Sequence, residues 1–184
     1  MAIGESSLRL LRNLKLGREE YCQRLLTMPL LNGPYPRWNS RNAPGPKGRD
    51  FLLALDGLCF ETEEWATLPS FVDEFDLPRR PDGEAGAAPD DAVLWDDRLW
   101  MIELKAAASS HRPTQIPTHL TLARHHHQAR SIDLTYLTPE MAWTPPKSTD
   151  ARLAHITWDQ VGTAPQQDLE QRRPRRSPRV DSAD

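Results

Sequence analysis

The stretch Pro89-Asp90-Asp91-Ala92-Val93-Leu94-Trp95-Asp96-Asp97-Arg98-Leu99-Trp100-Met101-Ile102-Glu103-Leu104-Lys105 decides the fold. Two short apolar runs, Ala92–Trp95 and Leu99–Ile102, flank Asp96-Asp97-Arg98, a polar segment of hairpin length made of turn formers. Side chains alternate along a strand, so Glu103 and Lys105 point to the same side. The hairpin returns the end of the second strand to the start of the first. An acid from Asp91 or Asp90, the acid of Glu103 and the ammonium of Lys105 therefore meet at one end of a sheet. Close carboxylates repel unless a cation lies between them. Oxygen ligands suit Mg²⁺ or Mn²⁺, and a lysine beside such an ion orients water or stabilises a charged transition state. The competing reading is an ordinary surface hairpin with charged ends.

Alternation does not choose between the two aspartates. Val93 and Trp95 share a face with Asp91, Ala92 and Leu94 share one with Asp90, and both faces are apolar. Position favours Asp91, which abuts the strand and is held more rigidly than Asp90.

The chain has 184 residues, a length that suits one domain. Hydrophobic residues make up 38%, which permits a folded core. The net charge of −3 supplies no global attraction to nucleic acid, so any such contact is a local basic patch. Cys22 and Cys59 are isolated, which disfavours a zinc site or a disulfide framework and suits reduced thiols in the cytoplasm. No apolar run approaches a membrane span, and Met1–Gly17 lacks the apolar core of a signal peptide.

Residues 5–27 read as helical, with Leu8, Leu11 and Leu14 or Leu25 near helical spacing. Residues 28–48 are a Pro/Gly-rich loop or arm carrying Arg37, Trp38, Arg41 and Lys47, a mix able to grip a phosphate backbone. A helix is predicted over Arg49–Thr62 and a strand around Ser70–Phe75, with Phe71, Asp73 and Phe75 on one face. After Lys105, Thr114 is placed to cap a helix whose first turn tolerates Pro117. That helix has an apolar stripe of Ile116, Leu120 and Ala123 and a polar side with Arg124, His125–His127 and Arg130. The three adjacent histidines fan apart, so they do not share one metal. Ile132–Leu137 and Leu153–Trp158 are predicted strands. Residues 163–184 are Arg-, Gln- and Pro-rich with little to bury, which predicts a disordered basic tail.

The motif Pro89-Asp90-Asp91 with Glu103-Leu104-Lys105 resembles the PD-(D/E)xK nuclease superfamily. The order helix, strand, strand, strand, helix, strand resembles its restriction-endonuclease-like core. One branch of that superfamily has a glutamine in the helix after the ExK strand, then a strand ending in Leu-Thr-Pro and a later strand ending in Trp. Gln115, Leu137-Thr138-Pro139 and Ile156-Thr157-Trp158 are similar to these. His119 stands where the branch usually has Tyr, which leaves its role open, and Glu74 matches a further acid in the preceding strand. The resemblance spans roughly residues 50–160.

It implies an α/β fold with a mixed sheet of four or five strands flanked by helices, over residues 49–162. An N-terminal helical segment and arm, 1–48, precede it and the tail, 163–184, follows. It implies a Mg²⁺- or Mn²⁺-dependent nuclease, with DNA the expected substrate. Asp91 and Glu103 would hold the ion, Glu74 would serve a second one, and Lys105 and Gln115 would complete the catalytic set. On such a nuclease the basic side chains read above in the arm and on the polar side of the helix, Arg37, Lys47, Arg124 and Arg130, would contact nucleic acid. A cytoplasmic place, no membrane, and a homodimer or a larger defence or repair complex fit the same resemblance. Two rivals stand beside it: a non-catalytic module of this fold that binds DNA or a protein, and an unrelated α/β scaffold with structural charges.

Overall fold

The computed structural model describes residues 18–27, 40–83, 85–107, 110–139, 143, 144, 146 and 150–163. In chain order the elements are α1 (Arg18–Thr27), α2 (Pro46–Phe60), β1 (Ser70–Asp73), β2 (Asp91–Leu94), β3 (Arg98–Leu104), α3 (Gln115–His126), β4 (Ser131–Thr138) and β5 (Ala151–Thr157). The strands form one sheet in the order β1-β2-β3-β4-β5. The first three are antiparallel neighbours. β3, β4 and β5 run parallel, because α3 carries the chain back across the sheet between β3 and β4. The protein is thus α/β, with a five-stranded mixed sheet flanked by helices. The first half of the N-terminal helical reading, residues 28–39 of the arm with Arg37 among them, and the tail beyond residue 163 lie outside the described residues.

Both faces of the sheet are covered, which is why β2 and β3 read as continuous apolar runs. Leu26 of α1 and Leu52 and Leu55 of α2 pack on one face with Phe71, Val93, Trp100, Ile102 and Leu104. On the other, Ile116, Leu120 and Ala123 of α3 pack with Val72, Ala92, Leu94, Leu99, Met101 and Leu134. The β2–β3 hairpin closes with the Trp95 N–H donating to the Arg98 carbonyl at 2.9 Å.

The strand pairings set residues in rows across the α3 face. Leu94, Leu99, Ile132 and Ala151 form the first row, and Ala92, Met101, Leu134 and Leu153 the second. The third continues the register as Asp90, Glu103, Tyr136 and His155. Two apolar rows thus give way to one of polar and polar-tipped side chains at the C-terminal end of β3.

Local departures from the sequence reading have local causes. α2 starts at Pro46, whose fixed φ suits the first helical turn. Thr114 occupies the N-cap of α3 but makes no side-chain cap bond: its backbone is already helical, at φ −85° and ψ −15°. The N3 position is moreover Pro117, which has no N–H to receive the bond. β1 ends at Asp73 because Glu74 takes φ 52°, the left-handed region that side chains rarely enter. That residue breaks the alternation, so Phe75 joins Val72 on the α3 face rather than Phe71. Its N–H donates to the Asp90 carbonyl at 2.7 Å, and that of Phe75 to the Pro89 carbonyl at 3.0 Å.

Candidate active site

The site is built at the end of β3. Asp91 pairs with Ile102, so the next position outward sets Asp90 beside Glu103. The Leu104 N–H donates to Asp90 Oδ2 at 2.9 Å and fixes that carboxyl. Lys105 Nζ lies 2.6 Å from Glu103 Oε1, and Gln115 Nε2 donates to the same oxygen at 2.6 Å. His119 Nε2 is 3.0 Å from Glu103 Oε2. Gln115 and His119 are one helical turn apart at the start of α3, so both reach the same carboxyl. Glu103, Lys105 and His119 are all buried. Trp158, just past β5, donates its indole N–H to the Lys105 carbonyl at 3.0 Å and anchors the backbone from which the ammonium projects.

The electrostatics split the two acids. Burial and then the neighbouring Glu103 charge push the Asp90 carboxyl well above its ordinary value. Burial also pushes Glu103 up, but the His119 hydrogen bond and the Lys105 charge outweigh it and leave that carboxyl low. The two carboxyls are thus pushed in opposite directions, Asp90 up and Glu103 down, as neighbouring acids that share too little positive charge are.

Asp91 is not part of this group. It faces the opposite side of β2, fully buried against α1, where Thr27 donates to Oδ1 at 3.3 Å. Its Oδ2 has no hydrogen-bond partner among the described residues. Burial, then the Asp73 and Asp90 charges, push it well above the ordinary value. Asp73 sits beside it, receiving Gln23 Nε2 at 3.1 Å and Arg24 Nη1 at 2.8 Å. Gln23 also donates to the Asp90 carbonyl at 2.9 Å, so α1 braces the strand from behind.

The remaining sequence candidates lie apart from Glu103. Glu74 turns toward α1, its Oε1 3.9 Å from Arg24 Nη2. Arg124 is in the last turn of α3, and Arg130 donates to the Asp96 carbonyl at 3.2 Å, at the opposite end of the sheet. Lys47 is exposed in the first turn of α2. Sequence reasoning placed Glu103, Lys105 and Gln115 together, as they are. It preferred Asp91 where the structure sets Asp90. It left His119 open and missed Gln23, Arg24 and Thr27, whose contacts no local pattern announces.

Among the described residues no group of three or more His, Cys, Asp or Glu side chains converges as a metal cage. A magnesium site does not require one, since Mg²⁺ commonly keeps several waters and binds through one or two carboxylates plus substrate phosphate. Asp90 and Glu103 fit that smaller role: their mutual repulsion is what a cation relieves. Among the described residues no helix is long and apolar enough to cross a membrane.

No family model, curated protein or solved structure matches the chain.

Proposed function

We propose that the chain is a metal-dependent nuclease that hydrolyses a phosphodiester bond of nucleic acid, with DNA as its substrate. One observation carries this reading: a carboxyl pair, half-buried Asp90 and buried Glu103, shares one face of a sheet end with an ammonium 2.6 Å from Glu103. The strand order and the parallel β3–β4 crossover support the finer assignment to a restriction-endonuclease-like core. A place in the cytoplasm belongs to the same proposal.

In this reading Asp90 and Glu103 hold Mg²⁺ or Mn²⁺, Asp90 taking the part that position along the strand suggested for Asp91. The bound ion supplies a Lewis acid and an acidified water. Gln115 and His119 fix the rotamer of Glu103. Lys105, anchored through Trp158, donates to the phosphate oxygens where negative charge grows. Incubation with plasmid and single-stranded DNA in Mg²⁺, Mn²⁺ or EDTA tests the proposal. Cleavage is expected with either ion and none with EDTA. Folded protein that cleaves neither substrate with either ion overturns it.

A second reading, a non-catalytic module that binds DNA or a protein, is favoured by one observation. Both oxygens of Glu103 are already engaged by Lys105, Gln115 and His119. Binding of DNA without uptake of Mn²⁺ would mark that case.

A further inference from the structure

The third row of the α3 face runs on past Glu103 to Tyr136 and His155. Adjacent strands are about 4.8 Å apart, so Tyr136 stands one such step from the carboxyl pair and His155 two. Around buried Tyr136 three more rings gather. His155 stacks on it with centroids 5.9 Å apart at 29°. Trp143 meets Tyr136 edge-on at 4.9 Å and His155 at 5.4 Å. His111, in the segment between β3 and α3, places Nδ1 2.8 Å from the Tyr136 hydroxyl. His155 Nε2 is in turn 2.8 Å from Thr138 Oγ1.

Simple core packing would continue the aliphatic rows beneath, Ile132 and Leu134 on β4, Ala151 and Leu153 on β5. Flat rings with tethered nitrogens replace them only in the row that holds Asp90 and Glu103. Tyr136 is buried, Trp143 and His155 are half-buried, and His111 is exposed, so the cluster grades from the core to the surface. Aromatic rings beside a phosphate-handling site are a stacking surface for nucleobases, tolerant of sequence because every base has a π-face. Bases inside a duplex are stacked on both sides by their neighbours and offer no free face.

We propose that His155, Trp143 and His111, backed by the buried Tyr136 ring, form the base-side wall of the site and stack an unpaired nucleobase next to the phosphate presented to Asp90, Glu103 and Lys105. The substrate is then a single strand or a frayed end rather than an intact duplex. This rests on the nuclease reading and narrows its substrate.

The test is fluorescence anisotropy of the full chain in EDTA, with a labelled oligothymidylate and a labelled blunt hairpin duplex. The parent is expected to prefer the single strand. Trp143→Leu keeps apolar volume but cannot stack, and should weaken single-strand binding roughly 5- to 150-fold. His155→Phe keeps a ring and loses the Thr138 bond, and should stay near the parent, whereas a purely hydrogen-bonded role would lose affinity there. Melting curves by circular dichroism identify folded variants, and Trp143→Phe replaces Trp143→Leu if the latter is unfolded, with a smaller loss expected. Equal affinity for the two probes, or parent-like affinity in the Trp143 variant, overturns the wall and leaves the nuclease reading standing. Binding to neither probe, together with no cleavage in Mn²⁺, overturns both.

Discussion

The two ends of β3 each bury charge, and they do so differently. At its start Arg98 donates through Nη1 and Nη2 to Asp56 at 2.7 Å each and through Nε to Asp133 at 2.5 Å. Arg152 adds two bonds to Asp133, at 2.8 and 2.6 Å, and the Trp65 indole N–H donates to Asp56 at 2.8 Å. The Arg98 guanidinium also lies 4.7 Å from the Trp95 ring centroid. Two cations meet two anions, and burial, which would lower the Arg98 value, is outweighed by Asp56 and Asp133 together. At the far end Asp90, Glu103 and the side-by-side pair Asp73 and Asp91 outnumber their cations, and Asp91 Oδ2 is left without a partner among the described residues. Closed networks hold a fold, whereas groups kept out of balance are what the proposed metal site calls for.

Breaking the closed end should have the largest effect. Arg98→Ala leaves Asp56 and Asp133 buried beside one remaining cation and should cost about 3–5 kcal/mol, read by urea unfolding. A loss under about 1 kcal/mol would show that this end is not the fold's anchor. At the open end, Lys105→Ala should lower cleavage by about 10²-fold or more while Mn²⁺ affinity persists. Cleavage at the parental rate would remove Lys105 from the chemistry. Isothermal titration with Mn²⁺ then separates the aspartates: Asp90→Asn should weaken uptake by about tenfold or more, and Asp91→Asn should keep it. The reverse result would mean that the face presented to α3 is not the working one.

A smaller effect concerns pH. The Asp91 carboxyl is raised in the folded state, so its contribution to stability is fully present below the ordinary value of 3.8. It is lost as pH climbs from there toward the raised value, at no more than about 1.4 kcal/mol per pH unit. Asp91→Asn should flatten this decline in metal-free thermal melts, and an unchanged slope would place the titration elsewhere. The smallest concerns Cys59, beside the closed end, whose thiol burial pushes up to about 12. It should resist a disulfide reagent at pH 8 until the protein unfolds, and prompt labelling of the native chain would show that this end opens.

Much of the open end was legible because it is local. The polar turn Asp96-Asp97 announces the hairpin, and alternation sets Glu103 with Lys105. Gln115 entered only through the resemblance, and its place at the helix start is what lets it reach Glu103. The choice of Asp90 was not legible, because Ala92, Val93 and Leu94 suit either face. His119 was visible only as a departure from a family pattern, although its spacing from Gln115 is one helical turn. The closed end left no signal, since Arg98, Asp56 and Asp133 meet from elements far apart in sequence. The support from α1 is equally silent, because Gln23 reaches Asp73 and Asp90 from 50 and 67 residues away.

The left-handed turn at Glu74 bears on a question of frame. Sliding β2 by one residue would exchange Asp90 and Asp91 between the faces of the sheet, and its three apolar residues would tolerate either position. Hydrophobic patterning therefore exerts little veto over the slip. What opposes it is the pair of bonds from the Glu74 and Phe75 amides to the Asp90 and Pro89 carbonyls, made where the strained backbone ends β1. That short clasp acts as an alignment key. It decides which of two chemically identical neighbours faces Glu103, and so ties the identity of the site to one unfavourable φ angle on an edge strand.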